Sequence, residues 1–377
     1  MSVERKIKLF YRKNGLKLRR RHIKPIKNKD LYYNWLLGRE GNLNLDALID
    51  IEGIPLIKRY LKKLVELKFP KQPKLHKEYL KYLEDININY FNLVNQDKRV
   101  TDNNSLDEYE RERWERQLDH PLINQKKLSE AKIVVFGLGG VGTNVLLGLI
   151  YAGVSNFKII DNDIVELSNL NRQTMYDFND IKKHKFKASK ERLIEINPKV
   201  NVKSYNLCIE YPPDRNLLAS EDRQFLPHYK EVNDIIKWGD IIINAVDYKG
   251  APYLVNDLCV LNKKPFYFVA CGFSYGHIIN YLPVKNSPCI QCIYGQDSFY
   301  NDSQTLRYKC ASTNGGVLGA TVITTGTLLS SLVIHDICIS EPKRSQYILL
   351  DTLNCIITKI PLKRDSKCEC VNIEHKN

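Results

Sequence analysis

One apolar run followed directly by clustered glycines constrains this chain more than any other feature. Residues 131–142 have the sequence AKIVVFGLGGVG, and the continuous β-branched run Lys132–Phe136 is typical of a buried strand. Four glycines follow that strand: Gly137, Gly139, Gly140 and Gly142. Glycine permits the tight turn and the close backbone approach that a phosphate needs. The apolar stretch Thr143–Tyr151 then predicts a helix whose positive end faces the turn.

A carboxylate follows the next predicted strand at a spacing that indicates a nucleotide. Phe157–Ile160 is a second short apolar run, and Asp161 ends it, 19 residues after Gly142. A ribose-binding acid is expected about 20 residues beyond such a glycine loop. The pattern therefore predicts a nucleotide site. At this point either a redox cofactor or ATP fits it.

The residues after Asp161 favour a triphosphate. Asp163 is followed by SNLNRQ at residues 168–173 and by a lysine-rich, helix-like segment, Asp180–Ile196. Arginine, asparagine and lysine near a glycine loop suit a triphosphate better than a pyrophosphate, because more negative charge must be balanced. Asp240–Val246 predicts a further apolar strand that ends at Asp247. A carboxylate in that place faces the ligand crevice and suits Mg²⁺.

The composition indicates a globular protein of two or three domains. The chain has 377 residues, 43% of them hydrophobic and 27% charged. The charged N-terminus lacks a secretory signal, and the weakly charged run 315–334 predicts a buried helix rather than a membrane span. Ten cysteines in so long a chain do not suggest a disulfide framework, so a reducing, cytoplasmic location is expected.

The first hundred residues predict a small separate domain that is strongly basic at its start. Residues 1–30 carry twelve Lys/Arg against two acids, within a net charge of +14. Such an arm suits nucleic acid, a membrane surface or an acidic partner, or it is simply solvated. Asn14-Gly15 predicts a hairpin turn, and Leu56–Lys68 an amphipathic helix. Hairpin, helix, turn and helix outline a winged-helix module that binds either DNA or a peptide strand.

The ordered set of motifs resembles the ThiF/MoeB family of ubiquitin-activating-type adenylating enzymes. The resemblance covers about Glu112–Cys370 and is carried by GLGGVG, DND with SNLNRQ, the lysine helix ending in INP, and Asp247. It implies an α/β protein. A Rossmann-like adenylation domain with a mixed sheet, residues 105–377, would follow a small α+β winged-helix peptide-clamp domain, residues 1–104. It also implies ATP and Mg²⁺ as cofactors and a homodimer.

The resemblance also implies roles for individual residues. The four glycines would line the phosphates, and Asp161 would bind the ribose. Asn169, Arg172 and Lys185 would neutralise the triphosphate, and Asp247 would hold Mg²⁺. Arg116, in a charged helix predicted over Leu106–Gln117, resembles the family arginine that enters the active site of the other subunit. The nucleotide-binding set implied in this way is Gly137, Gly139, Gly140, Gly142, Asp161, Asp163, Asn169 and Gln173.

Two cysteine pairs in the C-terminal third predict a structural zinc site. Cys289-x-x-Cys292 and Cys368-x-Cys370 lie far apart in sequence, which suits tetrahedral Zn²⁺. Family members usually have two Cys-x-x-Cys pairs, and the second pair here is one residue shorter. Cys310 resembles a loop cysteine that some members use in thioester or persulfide chemistry. Five further cysteines stand in apolar contexts and are expected to lie in the core: Cys208, Cys259, Cys271, Cys338 and Cys355. His277 and His335 are expected to be structural.

Within the family, the N-terminal region resembles the peptide clamp of enzymes that modify ribosomally made peptide antibiotics, such as microcin C and pantocin. The prediction is therefore an ATP-dependent enzyme that adenylates a carboxylate or amide oxygen of a precursor peptide. Intramolecular capture would then give cyclisation or dehydration. Alternatives are activation of a ubiquitin-like sulfur-carrier protein and a winged-helix DNA-binding nucleotide sensor. Nucleic acid and membrane partners are less expected. The residues leave open which group is adenylated and which bond forms.

Overall fold

The strands that the structure describes form one sheet, and the glycine segment lies at the carboxyl end of one of its parallel strands. The computed structural model describes residues 106–118, 120, 123–209, 228–246, 251–284, 286–294, 316–339 and 345–368. All of them fall within one unit, Thr101–Asn377. The predicted winged-helix region, residues 1–104, lies outside the described residues. Asp247, Cys310 and Cys370 lie outside them as well.

Helices and strands alternate through the first half of the described chain. The helices are α1 (Glu108–Leu118), α2 (Gln125–Glu130), α3 (Gly140–Tyr151), α4 (Lys185–Ile196), α5 (Tyr229–Trp238), α6 (Ala251–Leu261), α7 (Ile290–Tyr294) and α8 (Gly319–Cys338). The strands are β1 (Lys132–Phe136), β2 (Asn156–Ile160), β3 (Asn201–Tyr205), β4 (Ile241–Asn244), β5 (Phe266–Gly272), β6 (Tyr275–Tyr281), β7 (Gln346–Asp351) and β8 (Ile356–Pro361).

The described strands pair in the order β3-β2-β1-β4-β5-β6-β7-β8. Strands β1 to β5 are parallel, whereas β6, β7 and β8 each run antiparallel to their neighbours. The predicted Rossmann-like fold with a mixed sheet is therefore confirmed. The strand order reverses between β1 and β4, and in open α/β sheets ligands bind at the carboxyl ends of strands at such a point.

Both faces of β1 are buried, which explains its continuous apolar sequence. Val134 and Phe136 belong to a core cluster with residues of α5 and α6, while Ile133 and Val135 are equally inaccessible on the other face. Each fully buried side chain of this kind contributes about 1.5–3 kcal/mol. The core therefore fixes the end of β1, from which the glycine segment emerges.

Several predicted boundaries shift in the structure. Helix α3 begins at Gly140 rather than Thr143, so two of the glycines lie in its first turn. Helix α4 begins at Lys185 rather than Asp180, because Phe178–Asp180 forms a 3₁₀ turn and Lys182 has a φ of 73°. Strand β4 ends at Asn244, two residues earlier than predicted.

Helix α8 is the predicted buried apolar helix, displaced to Gly319–Cys338. It is the one described helix that is long and apolar enough to cross a membrane by length and composition. Val322, Leu329 and Val333 are buried in the fold, and the Thr321 hydroxyl bonds to that of Thr352 beside β7. The helix packs along α3 and against β5 and β6. Core helices of this kind commonly satisfy the same criterion.

Candidate nucleotide-binding site

The turn after β1 requires glycine at two positions. Gly137 has a φ of 88°, and an added Cβ would lie 2.8 Å from the carbonyl atoms of Ala245. An added Cβ at Gly142 would collide with the carbonyl oxygen of Gly137. The Gly137 N–H donates to Ile160 O at 2.9 Å, which ties the turn to the end of β2. These contacts hold the chain ends of β1, β2 and β4 together.

Open space lies beside Gly139, at the start of helix α3. This residue is extended, and the nearest atom to an added Cβ would be the side-chain nitrogen of Gln173, 4.0 Å away. Gly140 starts the 12-residue helix, and its Cβ would come within 2.5 Å of Val322. The first backbone N–H groups of such a helix lack intrahelical partners and favour an anion. A nucleotide phosphate therefore fits this turn.

Asp161 connects the glycine turn to the chain beyond β2. Its Oδ2 accepts the Leu138 N–H at 2.7 Å, and its Oδ1 accepts the Asp163 N–H at 2.7 Å. Burial raises the pKa of Asp161, and the charge of nearby Lys185 opposes that rise. Each carboxylate oxygen keeps a second lone pair for a further donor. The carboxylate therefore suits the ribose hydroxyls predicted for it, and that role stays a prediction.

Lys185 is a buried cation beside this carboxylate. Its Nζ lies 3.0 Å from Asp163 Oδ2, and its backbone N–H donates to Asp163 O at 2.9 Å. Lys185 is therefore fixed at the start of α4. The neighbouring lysines that the sequence also offers for this role, Lys182, Lys183 and Lys187, are exposed.

The SNLNRQ segment packs against the glycine turn. Asn169 is buried and its Oδ1 accepts the Glu166 N–H, which closes a 3₁₀ turn. The Arg172 guanidinium donates to Ser168 O at 2.8 Å, and the Arg172 Cγ would lie 3.3 Å from a Cβ on Gly140. Gln173 is buried, and its Oε1 has no hydrogen-bond partner in the described part of the chain. The structure thus brings Asn169, Arg172 and Gln173 together beside the glycine turn.

Two supporting residues were missed by sequence reasoning. The Tyr176 hydroxyl donates to Leu138 O at 2.9 Å and also bonds to Ser189. The Asn144 Nδ2 donates to Gly140 O at 2.7 Å and to Arg172 O at 3.2 Å. Asn144 stands alone as an amide in an otherwise apolar helix, which is the signal that points to it. Together they fix the turn and the arginine segment.

Arg116 lies far from the glycine turn of its own subunit. In α1, the Trp114 indole donates to Tyr151 O and the Arg113 guanidinium donates to Ile196 O, at the last residues of α3 and α4. Both helices start near the glycine turn and run away from it. A 12-residue helix is about 18 Å long, so Arg116 cannot reach the turn of the same subunit. Its side chain is exposed, and no described residue bonds to it.

Three cysteines from two distant segments meet beside α6. The Cys289 sulfur lies 3.9 Å from that of Cys292 and 3.6 Å from that of Cys368, and all three sulfurs lie within 4.8 Å of one another. Zinc–sulfur bonds of about 2.3 Å in a tetrahedron place sulfurs about 3.8 Å apart. The three thiols therefore fit a structural zinc ion. Elsewhere, burial raises the pKa of Cys259 well above its usual value and that of Cys271 to about 11, as expected of core thiols. The core prediction is wrong for Cys355, which is exposed in the turn between β7 and β8, and Cys208 is only partly buried.

A model of the ThiF family matches residues 114–370, which is more than half of the chain. The chain belongs to the ThiF family. This assignment confirms the family predicted from the glycine turn, SNLNRQ and INP motifs.

Relatives in this family are named adenylyltransferases. A sulfur carrier protein adenylyltransferase of Thermus thermophilus is 29% identical over 267 residues, covering 69% of this chain and 90% of that protein. A probable molybdopterin-synthase adenylyltransferase of Porphyra purpurea is 31% identical over 235 residues, covering 61% and 54%. The chain spans about half the length of several other curated relatives that it matches. These names confirm, at the level of the family, the prediction of an ATP-dependent adenylating enzyme.

Solved structures with the same fold include two of the expected subgroup. The E. coli MccB structure with ATP has a TM-score of 0.55 at 23% identity, covering 69% of this chain and 74% of MccB. A PaaA structure has a TM-score of 0.53 at 20% identity, covering 83% of this chain and 92% of PaaA. At these identities the likeness establishes the fold alone.

Proposed function

We propose that this protein uses ATP to adenylate a carboxylate or amide oxygen of a ribosomally made precursor peptide. A nitrogen of the same peptide then captures the activated acyl group, giving cyclisation or dehydration. The observation that carries the proposal is the cluster of Lys185, Asp161 and Arg172 around the glycine turn. It supplies cations, an acceptor and a helix N-terminus at one place, which is what a nucleoside triphosphate requires.

The first step follows from the charges. An acyl oxygen of the peptide attacks the α-phosphorus of ATP, the bond from that phosphorus to the β-phosphate oxygen breaks, and pyrophosphate leaves. Negative charge grows on the phosphate oxygens, so fixed positive groups lower the barrier. Lys185 and Arg172 supply these charges, the start of α3 supplies N–H donors, and Asp161 orients the ribose. Mg²⁺, bound through Asp247 as predicted, would neutralise the departing pyrophosphate.

A second subunit completes the site in this proposal. Arg116 is exposed and lies about one helix length from the glycine turn of its own chain. In a two-fold symmetric dimer the same surface is presented to both subunits, so each arginine is available to the other site. This supports the predicted homodimer and the predicted role of Arg116.

Zinc has a structural role in this account. Residues Cys289, Cys292 and Cys368 would hold it, with Cys370 as the fourth ligand expected from sequence. The Ile290 N–H donates to Asn256 in α6, so the site is anchored to the core beside the sheet. The ion would tie the C-terminal segment to α7.

A peptide substrate is supported by the likeness to MccB, whose solved structures include the microcin C7 biosynthetic enzyme MccB in complex with N-formylated MccA. The N-terminal clamp predicted from the sequence over residues 1–104 would hold such a peptide. A basic clamp would suit an acidic leader peptide.

Activation of a sulfur-carrier protein is the second candidate, favoured by the names of the curated relatives. The experiment is to measure pyrophosphate release from ATP with peptides encoded beside the gene and, separately, with a ubiquitin-like sulfur-carrier protein. Turnover with a peptide alone supports the first proposal. Pyrophosphate release with the carrier alone replaces the first proposal with the second. Loss of thiocarboxylate formation in Cys310→Ala, with pyrophosphate release retained, would then assign the later sulfur step to that cysteine.

A further inference from the structure

Asn244 carries a buried hydrogen-bond donor that no described residue satisfies. It is the last residue of β4 and is fully inaccessible to solvent. Its Oδ1 accepts the Val246 N–H at 2.9 Å, while its Nδ2 has no hydrogen-bond partner within the described ranges. Because Val246 offers a donor, the oxygen must face it, and the orientation of the amide is fixed. The unsatisfied atom is therefore a donor.

The fold itself does not call for an amide at this position. Ile241, Ile242 and Ile243 precede it in β4, and its partners in the neighbouring strands are Phe136 and Phe268. An apolar side chain would suit such surroundings better, since an unpaired buried donor lowers stability. Native structures keep few such groups, so each one requires an explanation.

The location indicates what satisfies the donor. Asn244 ends β4 at the point where the strand order reverses, and the next residue, Ala245, packs against Gly137. On the other side of the turn, Gln173 is also buried, lies beside Gly139 and has an unsatisfied Oε1. Two incompletely bonded carboxamides therefore flank the glycine turn. A ligand with several polar atoms would complete both.

We propose that Asn244 binds the nucleotide directly, with Nδ2 donating to an oxygen or ring nitrogen of ATP seated at the glycine turn. The inference rests on the proposed function and adds to it a ligand-contacting residue at the end of β4. Asn244 acts as a binding residue, and its Oδ1 at the same time shapes the turn through Val246.

Binding of the nonhydrolysable α,β-methylene analogue of ATP, with Mg²⁺, tests this. Asn244→Asp keeps the acceptor for Val246 but replaces the donor with a charged carboxylate oxygen, and Asn244→Leu removes the donor without adding charge. We expect each variant to bind the analogue about tenfold more weakly by calorimetry, with a smaller ligand-induced rise in Tm. Asn280 is the matched control: it is buried in β6, two strands away from β4, its Oδ1 accepts the Gln346 N–H at 2.7 Å, and it pairs with Tyr267 of β5. Asn280→Asp and Asn280→Leu should bind as the wild type does.

The outcomes separate this inference from the proposed function. A wild-type protein that does not bind the analogue overturns both. Normal binding by both Asn244 variants overturns the inference alone, as does weaker binding by Asn244→Asp only, which indicates charge repulsion. If the variants do not fold, a crystal structure of the wild type with the analogue decides. Nδ2 within about 3.2 Å of a nucleotide acceptor supports the inference, and a longer separation overturns it.

Discussion

The side-chain nitrogen of Lys185 lies 3.0 Å from a carboxylate oxygen of Asp163, and only 7% of the lysine side chain is exposed, against 65% for the aspartate. The lysine is thus buried, whereas the aspartate that pairs with it remains accessible to solvent. Its charge also favours the ionised form of Asp161. The pair holds a cation in place beside the glycine turn before any substrate arrives.

Replacing Lys185 with methionine should reduce adenylation about 100-fold or more, since a fixed positive group at the reacting phosphate is removed. Pyrophosphate release under saturating ATP is the measurement. Lys187→Met is the control, because Lys187 is exposed and lies above the Phe186 ring. A large loss in the control with little loss in Lys185→Met would move the catalytic role to Lys187.

Nucleotide affinity should increase with pH across the acidic range. Burial raises the pKa of Asp161, so the folded protein keeps a proton there at a pH where an ordinary aspartate has lost it. The ionised carboxylate, which accepts from the ribose, predominates only above that raised pKa. Binding of the ATP analogue measured against pH should therefore show its inflection above 3.8.

The Lys185→Met variant should move that inflection to higher pH, because the charge that opposes the raised pKa of Asp161 is lost. Circular dichroism at each pH checks that the protein stays folded. An identical inflection in both proteins would show that the charge of Lys185 does not affect the pKa of the group that controls binding.

Two alanine substitutions in the glycine turn should have opposite consequences. Gly142→Ala places a methyl group against the Gly137 carbonyl and should lower the free energy of unfolding by about 1–3 kcal/mol. Gly139→Ala meets no atom closer than 4.0 Å, so it should fold normally but obstruct the phosphate and weaken nucleotide binding more than about tenfold.

Gly272→Ala is the control for both, since nothing lies within 4 Å of an added Cβ there. Thermal unfolding and calorimetry with the ATP analogue give the two readouts. A stable Gly139→Ala protein with wild-type affinity would show that the nucleotide lies elsewhere.

The purified protein should contain about one zinc ion per chain. Cys289→Ser should lose the metal and lower the Tm, because the Cys289 sulfur lies 3.9 Å from that of Cys292 and 3.6 Å from that of Cys368. The exposed Cys355 provides the control substitution Cys355→Ser. Elemental analysis and thermal unfolding are the measurements. A wild-type protein that contains no zinc, with a Tm that Cys289→Ser leaves unchanged, would contradict the zinc site.

Mixing two inactive variants should restore activity if Arg116 acts in the partner's site. Arg116→Ala and Lys185→Met place their defects in different sites of a mixed dimer, so one of its two sites keeps both residues. Random mixing should give about a quarter of wild-type activity. The control mixes Arg116→Ala with Arg116→Ala,Lys185→Met, which leaves no intact site. Equal activity in both mixtures would exclude action across the dimer.

Local sequence was sufficient to predict the part of the site that forms within one segment. Strand β1, the glycine turn and Asp161 follow from short-range patterning and a fixed spacing. The start of α3 was predicted three residues too late, because Gly140 and Gly142 suggested a loop. In the structure both lie in the first turn of the helix, where an added Cβ would collide with Val322 or with the Gly137 carbonyl.

Contacts between distant segments could not be predicted in this way. Tyr176 supports Leu138 and Asn244 ends β4 only because the sheet order places them at the same edge. Likewise, Lys185 was one of several lysines in sequence, and burial against Asp163 distinguishes it. Such relationships depend on tertiary packing rather than on propensity or spacing.

The central claim is attack of a substrate acyl oxygen on the α-phosphorus of ATP, and an isotope measurement tests it most directly. A precursor peptide encoded beside the gene, labelled with ¹⁸O at its carboxyl and amide oxygens, is incubated with ATP and the enzyme, and the products are analysed by mass spectrometry. The account predicts pyrophosphate and, once the acyl group is captured by nitrogen, AMP that carries ¹⁸O. Formation of ADP with ¹⁸O in inorganic phosphate would contradict it.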